Sequence, residues 1–422
     1  MVPREKYLKN IALFQDKDII KVITGIRRCG KSTMLDLCKE RLRSQGVPEE
    51  RLISFKMESM EFDSIKNHRD LYALISGRLK GIEHPYLFLD ELQEVEGWEK
   101  AVNALRVDFD CDIYITGSNA FLLSSEISTL LSGRYVEIPM LPLTFAEYLD
   151  FRAIQWKPSA SAGFEQDGSP ILLDDALEQF RVNGGLPFLA FSVPSREEHR
   201  LYMKSLCDTV LVRDILQRSR RKGRRQLTNP QLLEHVCRFL SNNIGNEMSP
   251  SKAASMLKEG FGDVASATVE AYANSLREAY LFDHASRYDL KGKELLKTNG
   301  KNYIADLGIR SYLEGYRNTD SGRTLENMVY LQLLFDGWNV TVGKLRAGEI
   351  DFVARKDERT VLIQVTDDMR NEETRERELK PLMAAKSAFP KTVIVRTGNY
   401  PTDYDGIRII KLVDFLLHNK EL

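Results

Sequence analysis

Over the first 150 residues, short runs of apolar and β-branched side chains alternate with longer segments in which apolar residues recur every three or four positions. The runs "DIIKVIT", "YLFLD" and "DIYIT" predict buried strands, whereas Leu35, Cys38 and Leu42 share one face of a predicted helix. Strands that alternate with helices are typical of a parallel sheet covered by helices. We therefore predict an α/β domain with a parallel sheet over residues 1–150.

The pattern changes after residue 150, where a stretch rich in Ser, Gly and Pro predicts an exposed loop. Helical patterns follow, and we assign residues 151–225 to a helical lid or linker region. Three helical patterns and two extended segments joined by a Lys-Gly turn predict a winged-helix-like domain over residues 226–315. Residues 316–422 show the order helix, three strands, helix, strand, which predicts a second α/β domain.

The composition is that of a globular protein with more than one domain: 422 residues, 43% hydrophobic and 29% charged. Lys and Arg number 60 against 61 Asp and Glu, and this balance argues against a uniformly basic nucleic-acid binder. The five cysteines form no CxxC pair, so neither a zinc ribbon nor a disulfide framework is indicated. The first residues lack the apolar region of a signal peptide, and the apolar runs are shorter than a membrane span, so we expect a cytoplasmic protein with no membrane partner.

Glycines and basic residues form the stretch "GIRRCGKST" between a predicted strand and a predicted helix. Its Gly25, Gly30, Lys31 and Ser32 satisfy the phosphate-loop pattern GxxxxGK[ST]. In that setting backbone N–H groups and the helix N-terminus favour a phosphate, Lys31 reaches the β- and γ-phosphates, and the Ser32 hydroxyl ligates Mg²⁺. The residues of this predicted nucleotide site are Gly25, Ile26, Arg27, Arg28, Cys29, Gly30, Lys31, Ser32 and Thr33.

Two adjacent acids follow the predicted strand "YLFLD" and are candidates for hydrolysis. Asp90 would hold Mg²⁺ through water, and Glu91 would polarise the attacking water. Ser118 and Asn119 follow the next strand, where a polar side chain can touch the γ-phosphate or the water. Arg134 precedes a further strand, where it is either an arginine finger for transition-state charge or a residue of a surface ion pair.

The order of six motifs resembles a family of bacterial and archaeal AAA-type P-loop ATPases with a C-terminal domain of unknown function; the motifs are "GIRRCGKST", "LFLDELQEVEGWEKA", "YITGSNA", "LSGRY", "LPLTFAEYL" and "NGGLP". The resemblance runs over nearly the full chain. It implies that the phosphate loop binds ATP with Mg²⁺ and that Asp90 and Glu91 hydrolyse ATP to ADP and phosphate. It also implies that Ser118 or Asn119 is sensor 1 and that Arg134 is the candidate finger, acting within one chain or across a homo-oligomer.

The predicted winged-helix-like segment raises the question of a nucleic-acid partner. In a winged helix-turn-helix the third helix enters the major groove, and Asn274 and Arg277 are among the polar residues that would read bases there. In AAA-type ATPases such a domain often packs on the nucleotide domain instead. The basic run at residues 218–225 is either a phosphate-backbone contact or a solvated linker. DNA, RNA and a protein client therefore remain open as partners.

The order of elements after residue 316 resembles the PD-(D/E)xK nuclease fold. Nucleases of that fold use an acid on the first helix, an Asp on the second strand and an E-x-K on the third, with Mg²⁺ between the acids. Glu326, Asp351 and Gln364 stand at these positions, and Thr366 stands where the lysine belongs. We therefore expect a degenerate restriction-endonuclease-like site, with nuclease activity disfavoured.

Three further residues bear on that degenerate site. Lys380 or Lys386, on the following predicted helix, could take the place of the missing lysine. We expect Glu349 to point away from Asp351 and to lie outside the site. Polar contacts within the fold are the alternative role for the acids.

Three functions follow from these patterns. The first is an ATP-binding protein and Mg²⁺-dependent ATPase that acts as a nucleotide-driven switch and binds nucleic acid or relays a signal. The second is an ATP-gated protein-interaction module with little turnover, and the third is a nuclease licensed by ATP. Salt-sensitive DNA binding without cleavage favours the first, nucleotide-dependent oligomerisation without DNA affinity favours the second, and metal-dependent cleavage favours the third.

Overall fold

The computed structural model describes residues 2–120, 131, 133–158, 160–217, 227–316, 321–345, 348–420 and 422, without the side chains of residues 259 and 297–299. Two compact units make up the chain. The first comprises Met1–Leu141 with Glu278–Tyr280, and the second comprises Pro142–Arg277 with Leu281–Leu422. The first unit ends before residue 150, where we place the end of the predicted ATP-binding domain.

Five strands form the sheet of the first unit: β1 Ile20–Thr24, β2 Leu52–Lys56, β3 Tyr86–Asp90, β4 Asp112–Gly117 and β5 Tyr135–Pro139. Their order is β2-β3-β4-β1-β5, and every neighbouring pair is parallel. The parallel α/β sheet predicted from the sequence is confirmed. Because the strands run in one direction, the residues that follow β1, β3 and β4 lie at the same edge of the sheet.

In the described part of this unit, four α-helices accompany the sheet: α1 Glu5–Ala12, α2 Lys31–Ser44, α3 His68–Leu79 and α4 Trp98–Asp108. Leu35, Cys38 and Leu42 are buried on α2, as their spacing predicts. Apolar side chains of α3 and α4 pack with those of the central strands in one core, in which Ile75 and Val102 are fully buried. Each such side chain contributes about 1.5–3 kcal/mol through burial, so this core holds the strand ends in fixed positions.

The second unit begins with helices: α5 Phe145–Phe151, α6 Leu173–Asn183, α7 Pro187–Ala190, α8 Arg196–Asp208, α9 Pro230–Asn242, α10 Pro250–Phe261, α11 Ser266–Glu278 and α12 Leu307–Leu313. A π-helical segment, Thr209–Gln217, continues α8, and the short strands β6 Ala162–Phe164 and β7 Pro170–Leu172 pair with each other. No helix among the described residues is both long enough and apolar enough to cross a membrane.

Eight strands form the large sheet of the second unit: β8 Phe282–Asp289, β9 Glu294–Ile304, β10 Asn339–Leu345, β11 Gly348–Lys356, β12 Arg359–Thr366, β13 Lys391–Val395, β14 Asp403–Tyr404 and β15 Ile407–Lys411. Their order is β14-β15-β13-β12-β11-β10-β8-β9. The remaining helices are α13 Ser321–Phe335, α14 Glu372–Ala384 and α15 Leu412–Leu416.

One feature of this sheet has no counterpart in the sequence patterns. The hairpin β8–β9 belongs to the predicted winged-helix-like segment, yet β8 pairs in parallel with β10 through Val342 and Arg287. The hairpin therefore extends the sheet of the C-terminal segment. Residues 226–315 and 316–422 share one sheet, and side chains of β9 can reach residues of α13.

Candidate nucleotide-binding site

The loop between β1 and α2 depends on glycine at two positions. Gly25 has φ +146°, and a Cβ atom there would lie 2.1 Å from the carbonyl oxygen of Met140. Gly30 has φ +101° and precedes the first residue of α2. The loop thus turns sharply out of the strand and directs its backbone toward the N-terminus of a helix, which is the geometry that binds phosphate.

Lys31 folds back over this loop. Its Nζ donates hydrogen bonds to the carbonyl oxygens of Gly25, at 3.0 Å, and Ile26, at 3.1 Å, and the side chain is 4% exposed. The same Nζ lies 4.0 Å from Glu91 Oε1. The hydrogen bonds of this buried ammonium go to neutral carbonyls and its acidic partner is 4.0 Å away, so a closer anion would strengthen its pairing and the loop is suited to an anion.

Asp90 stands at the end of β3 and meets two hydroxyl groups. Ser32 Oγ, in the first turn of α2, donates to Asp90 Oδ1 at 3.1 Å. Thr116 Oγ1, in β4, donates to the same oxygen. The Ser32 hydroxyl and the Asp90 carboxylate are therefore adjacent, as the predicted Mg²⁺ site requires.

Glu91 adopts a left-handed backbone conformation with φ +54°, directly after β3. Its backbone N–H donates to Thr116 Oγ1 at 3.0 Å, and Ser118 Oγ donates to Glu91 Oε2 at 3.1 Å. Gln93 Nε2 donates to the same carboxylate oxygen. Burial by itself raises the pKa of Glu91, but the Lys31 ammonium and these hydrogen bonds outweigh burial and hold the pKa below its usual value. The carboxylate is held ionised and oriented.

The polar residues at and after the end of β4 differ in how they contact the two acids. Ser118 is 2% exposed and contacts Glu91, while Asn119 is buried beside it at 4% exposure. Thr116 was not assigned a role from the sequence, although it bonds both acids. The sequence could have identified Thr116, because a threonine at the end of the apolar strand beside the acidic strand places its hydroxyl at the same edge of the sheet.

The other loop residues face different surroundings. Arg27 Nη2 lies 2.8 Å from Glu58 Oε1, and Arg28 is exposed with φ +69°. Cys29 is fully buried, and its carbonyl oxygen accepts a hydrogen bond from Arg4 Nη1 at 3.3 Å. Thr33 is exposed on α2. Arg4 is a contact of the loop that the sequence patterns did not identify.

Arg134 is not brought to the loop. It precedes β5, its carbonyl oxygen accepts from Ile20 N at 2.9 Å, and its Nη1 donates to Asn103 at 3.0 Å. Ile20 begins β1, whereas the phosphate loop follows Thr24 at the other end of this five-residue strand, about 13–16 Å away. Arg134 is exposed and starts from the opposite edge of its own sheet. Of the two settings left open for a finger, this position does not fit the one within the same chain's sheet.

The second unit brings together the acids of the predicted nuclease-like site. Asp351 N lies 3.4 Å from Gln364 Oε1, and Lys301 Nζ is 3.0 Å from Glu326 Oε1 and 4.0 Å from Asp351 Oδ1. Lys301 lies on β9, outside the segment that carries the motif, and sequence reasoning missed it. Burial lowers the pKa of Lys301, but the surrounding carboxylates outweigh burial and raise the pKa above its usual value.

Two expectations about this cluster are corrected. Glu349 Oε1 lies 2.5 Å from Lys301 Nζ, so Glu349 joins Asp351 instead of pointing away from it. Residues two apart on a strand share a face, and the expectation of opposite faces was wrong for that reason. Lys380 and Lys386 are exposed, and the structure gives them no contact with the acids. The cation beside the acids is Lys301.

The candidate nucleic-acid residues are placed in part. The basic run at residues 218–225 lies outside the described residues. Arg277 is bonded within its own unit, because its Nε and Nη2 donate to Asn302 at 3.1 and 2.8 Å and its Nη1 donates to Asn274 at 2.7 Å. Asn274 and Arg277 are thus engaged with each other and with β9.

The donors at the phosphate loop suit a magnesium nucleotide. Within the described ranges, no group of three or more His, Cys, Asp or Glu side chains is arranged to hold a metal by itself. Mg²⁺ in such sites is held by one or two protein oxygens, water and substrate phosphates. Ser32 and Asp90 supply the protein oxygens and Lys31 supplies a cation for the phosphates.

The parallel sheet, the phosphate loop and the adjacent acids define a P-loop ATPase domain of the AAA type. The family described as an AAA domain matches residues 17–149, and a domain of unknown function matches residues 174–320. The second match crosses residue 225, where we predict a boundary. AAA-type ATPase character, inferred from the motifs, is therefore supported for the first unit.

The similar proteins include relatives from a bacterium and an archaeon. An uncharacterised protein of Haemophilus influenzae is 37% identical over 420 residues, which cover 99% of each chain. This protein belongs to the same family as that Haemophilus influenzae protein. An uncharacterised protein of Methanocaldococcus jannaschii is 29% identical over 86% of this chain and 77% of its own.

A solved structure is also similar. The Walker-type ATPase of Pyrococcus abyssi is 12% identical, with 74% of this chain and 96% of that chain covered and a TM-score of 0.48. Similarity at this level bears on neither activity nor partners.

Proposed function

We propose that this protein binds ATP with Mg²⁺, hydrolyses ATP to ADP and phosphate, and acts as a nucleotide-driven switch. One observation carries the proposal: Lys31 and Ser32 at the start of α2 meet Asp90 and Glu91 at the end of β3, at one edge of a parallel sheet. Ser32 Oγ lies 3.1 Å from Asp90 Oδ1, and Lys31 Nζ lies 4.0 Å from Glu91 Oε1. A glycine turn without function would not need a neighbouring pair of oriented acids.

Each residue of the site has a separate role in this proposal. Lys31 turns its ammonium from the carbonyls of Gly25 and Ile26 to phosphate oxygens. Ser32 and Asp90 hold Mg²⁺, which, when bound, neutralises charge on the phosphates. Glu91 orients the attacking water and accepts its proton, and Ser118 acts as a positioning residue through its hydrogen bond to Glu91.

Arg134 enters this proposal only through assembly. Its side chain starts at the edge of the sheet opposite the phosphate loop, so a finger role requires the site of a second subunit. Binding of DNA or RNA is proposed as the input to the switch, with the basic run at residues 218–225 as the contact. A protein client is the other partner class.

The decisive experiment measures ATP hydrolysis by the intact chain with and without double-stranded DNA. Glu91→Gln removes the base and should lower kcat about 10²- to 10⁴-fold. Lys31→Ala removes the phosphate cation and should lower kcat about 10²- to 10³-fold. Glu96→Gln and Lys100→Ala change exposed groups of the same type in the same unit and should leave kcat unchanged.

Each outcome decides between the functions. Turnover that both variants lose and the controls retain supports the ATPase, and stimulation by DNA supports the nucleic-acid switch. ATP binding without turnover in the intact chain would instead support an ATP-gated interaction module. Metal-dependent DNA cleavage that Asp351→Asn abolishes would support the licensed nuclease.

A further inference from the structure

The most unusual charge arrangement outside the nucleotide site surrounds Lys301. Its Nζ lies 3.0 Å from Glu326 Oε1, 2.5 Å from Glu349 Oε1 and 4.0 Å from Asp351 Oδ1. Three carboxylates from α13 and β11 therefore converge on one ammonium group from β9. Lys301 is 4% exposed, whereas lysines usually keep their ammonium in water.

Neighbouring groups fix the carboxylates around this point. Tyr303 OH donates to Glu326 Oε1 at 2.6 Å, and a Cβ atom on Gly245 would lie 3.0 Å from Glu326 Oε2. Asp351 Oδ2 accepts from the backbone N–H of Val365 at 2.8 Å. Tyr303 thus holds the same Glu326 oxygen that faces Lys301, and the Asp351 oxygen that does not face Lys301 is held by the backbone.

The position of the lysine is set by the hairpin. Lys301 pairs with Ala285 across β8–β9 and forms a bridge with Glu247 on its other side. Lys301 and Tyr303 are two residues apart on β9, so both side chains reach the same face and both contact Glu326. Backbone pairing on both sides fixes where the side chain starts, and burial together with the ion pairs holds the ammonium among the acids.

With Lys301 in place, these acids, like the other described side chains, form no group arranged to hold a metal, so a divalent cation would have to take the place of the ammonium. Carboxylate oxygens from separate elements are the ligands that Mg²⁺, Mn²⁺ and Ca²⁺ prefer. Expelling the buried ammonium breaks its ion pairs with these carboxylates, and breaking a buried pair is strongly destabilising. An ion would have to meet that cost in addition to its own dehydration.

We propose that the Lys301 ammonium is the permanent cation of the Glu326, Glu349 and Asp351 cluster and closes this site to divalent ions. The group that occupies the site is the ammonium of a lysine of the same chain. The inference concerns the second unit and does not depend on ATP hydrolysis. It accounts for acids at positions that resemble a nuclease while a residue outside the motif supplies a cation among them.

The test is to remove the cation and ask whether a divalent ion takes its place. Lys301→Met keeps the aliphatic length and removes the charge. Titration with Mn²⁺, followed by electron paramagnetic resonance without nucleotide, should show one more bound ion in this variant than in the unchanged chain. Its Kd should fall within about 10⁻⁵–10⁻³ M. Adding Asp351→Asn to the variant should remove the extra ion.

Two control variants distinguish the loss of the Lys301 charge from a general structural effect of a substitution. Lys301→Arg keeps a cation among the acids, and Lys344→Met changes an exposed lysine of the same sheet. Neither should gain an ion. Because Lys301→Met leaves the acids uncompensated, its unfolding temperature should fall and should recover on addition of Mn²⁺, whereas that of the unchanged chain should not respond through this site.

Two results would overturn the proposal. One is a folded Lys301→Met variant that binds no more Mn²⁺ than the unchanged chain and is not stabilised by it. The other is an ion bound by the unchanged chain that Asp351→Asn removes, because this would show that Lys301 leaves the cluster open. The second result is obtained without a Lys301 variant. The proposal can therefore be refuted even if Lys301→Met does not fold.

Discussion

Thr116 connects the two acids of the nucleotide site, and its replacement by valine tests that connection. Thr116 is fully buried, donates to Asp90 Oδ1 and accepts from the Glu91 N–H at 3.0 Å. Valine has nearly the same shape but lacks the hydroxyl. Thr116→Val therefore removes a hydrogen bond to a carboxylate, worth about 1.5–3 kcal/mol, and leaves a buried N–H without its partner, at a cost of about 1–3 kcal/mol.

The expected effect on catalysis follows from geometry. Glu91 would lose the contact that fixes its left-handed backbone, and a shift of about 1 Å in a catalytic group can lower the rate about 10²-fold. The side-chain hydrogen bonds of Thr116 go to the two acids, so the KM for ATP should change much less than kcat. Thr116→Ser retains the hydroxyl and should restore most of kcat.

The assay is steady-state ATP hydrolysis at several ATP concentrations, with the folded fraction of each variant checked by urea unfolding. A rise in KM with unchanged kcat would show that Thr116 acts on binding. Unchanged kcat and KM in a Thr116→Val variant, together with lower stability, would refute the positioning role and leave only a structural one.

Two further variants test single features of the two units. Gly25→Ala should weaken binding of a fluorescent ATP analogue at least about tenfold. Positive φ is strained for alanine, and its Cβ atom would lie 2.1 Å from a carbonyl oxygen. The control Gly77→Ala, whose Cβ atom would have no neighbour within 4 Å, should bind the analogue normally. Burial raises the pKa of Asp306 from 3.8 to about 6, although the N–H groups of Gly185 and Ile309 donate to it. Its contribution to stability is therefore full below pH 3.8 and is lost as pH rises to about 6. Between pH 3.8 and pH 6 the free energy of unfolding of the unchanged chain should fall by about 2 kcal/mol relative to Asp306→Asn, measured by urea unfolding, and parallel pH profiles would contradict this.

The nucleotide site was predictable because each part is local in sequence. A strand, a glycine loop and a helix specify the position of Lys31, and an apolar strand followed by two acids specifies Asp90 and Glu91. Parallel strands then bring these ends to one edge without further information. The position of Arg134 required the direction of β5 relative to β1, since a residue before a parallel strand lies at the opposite edge.

The cluster around Lys301 shows why the C-terminal site could be predicted only in part. Glu349 follows from strand periodicity alone, and applying that rule correctly would have placed it beside Asp351. Lys301 does not follow, because its contact with Glu326 depends on the hairpin β8–β9 joining the sheet through β10. Hairpin and sheet belong to segments whose patterns predict separate domains. Residues 316–422 contain the acids of the motif but not the lysine that contacts them. The cation among the acids comes from the preceding segment, so the chemistry of such a site can be judged only from the complete sheet.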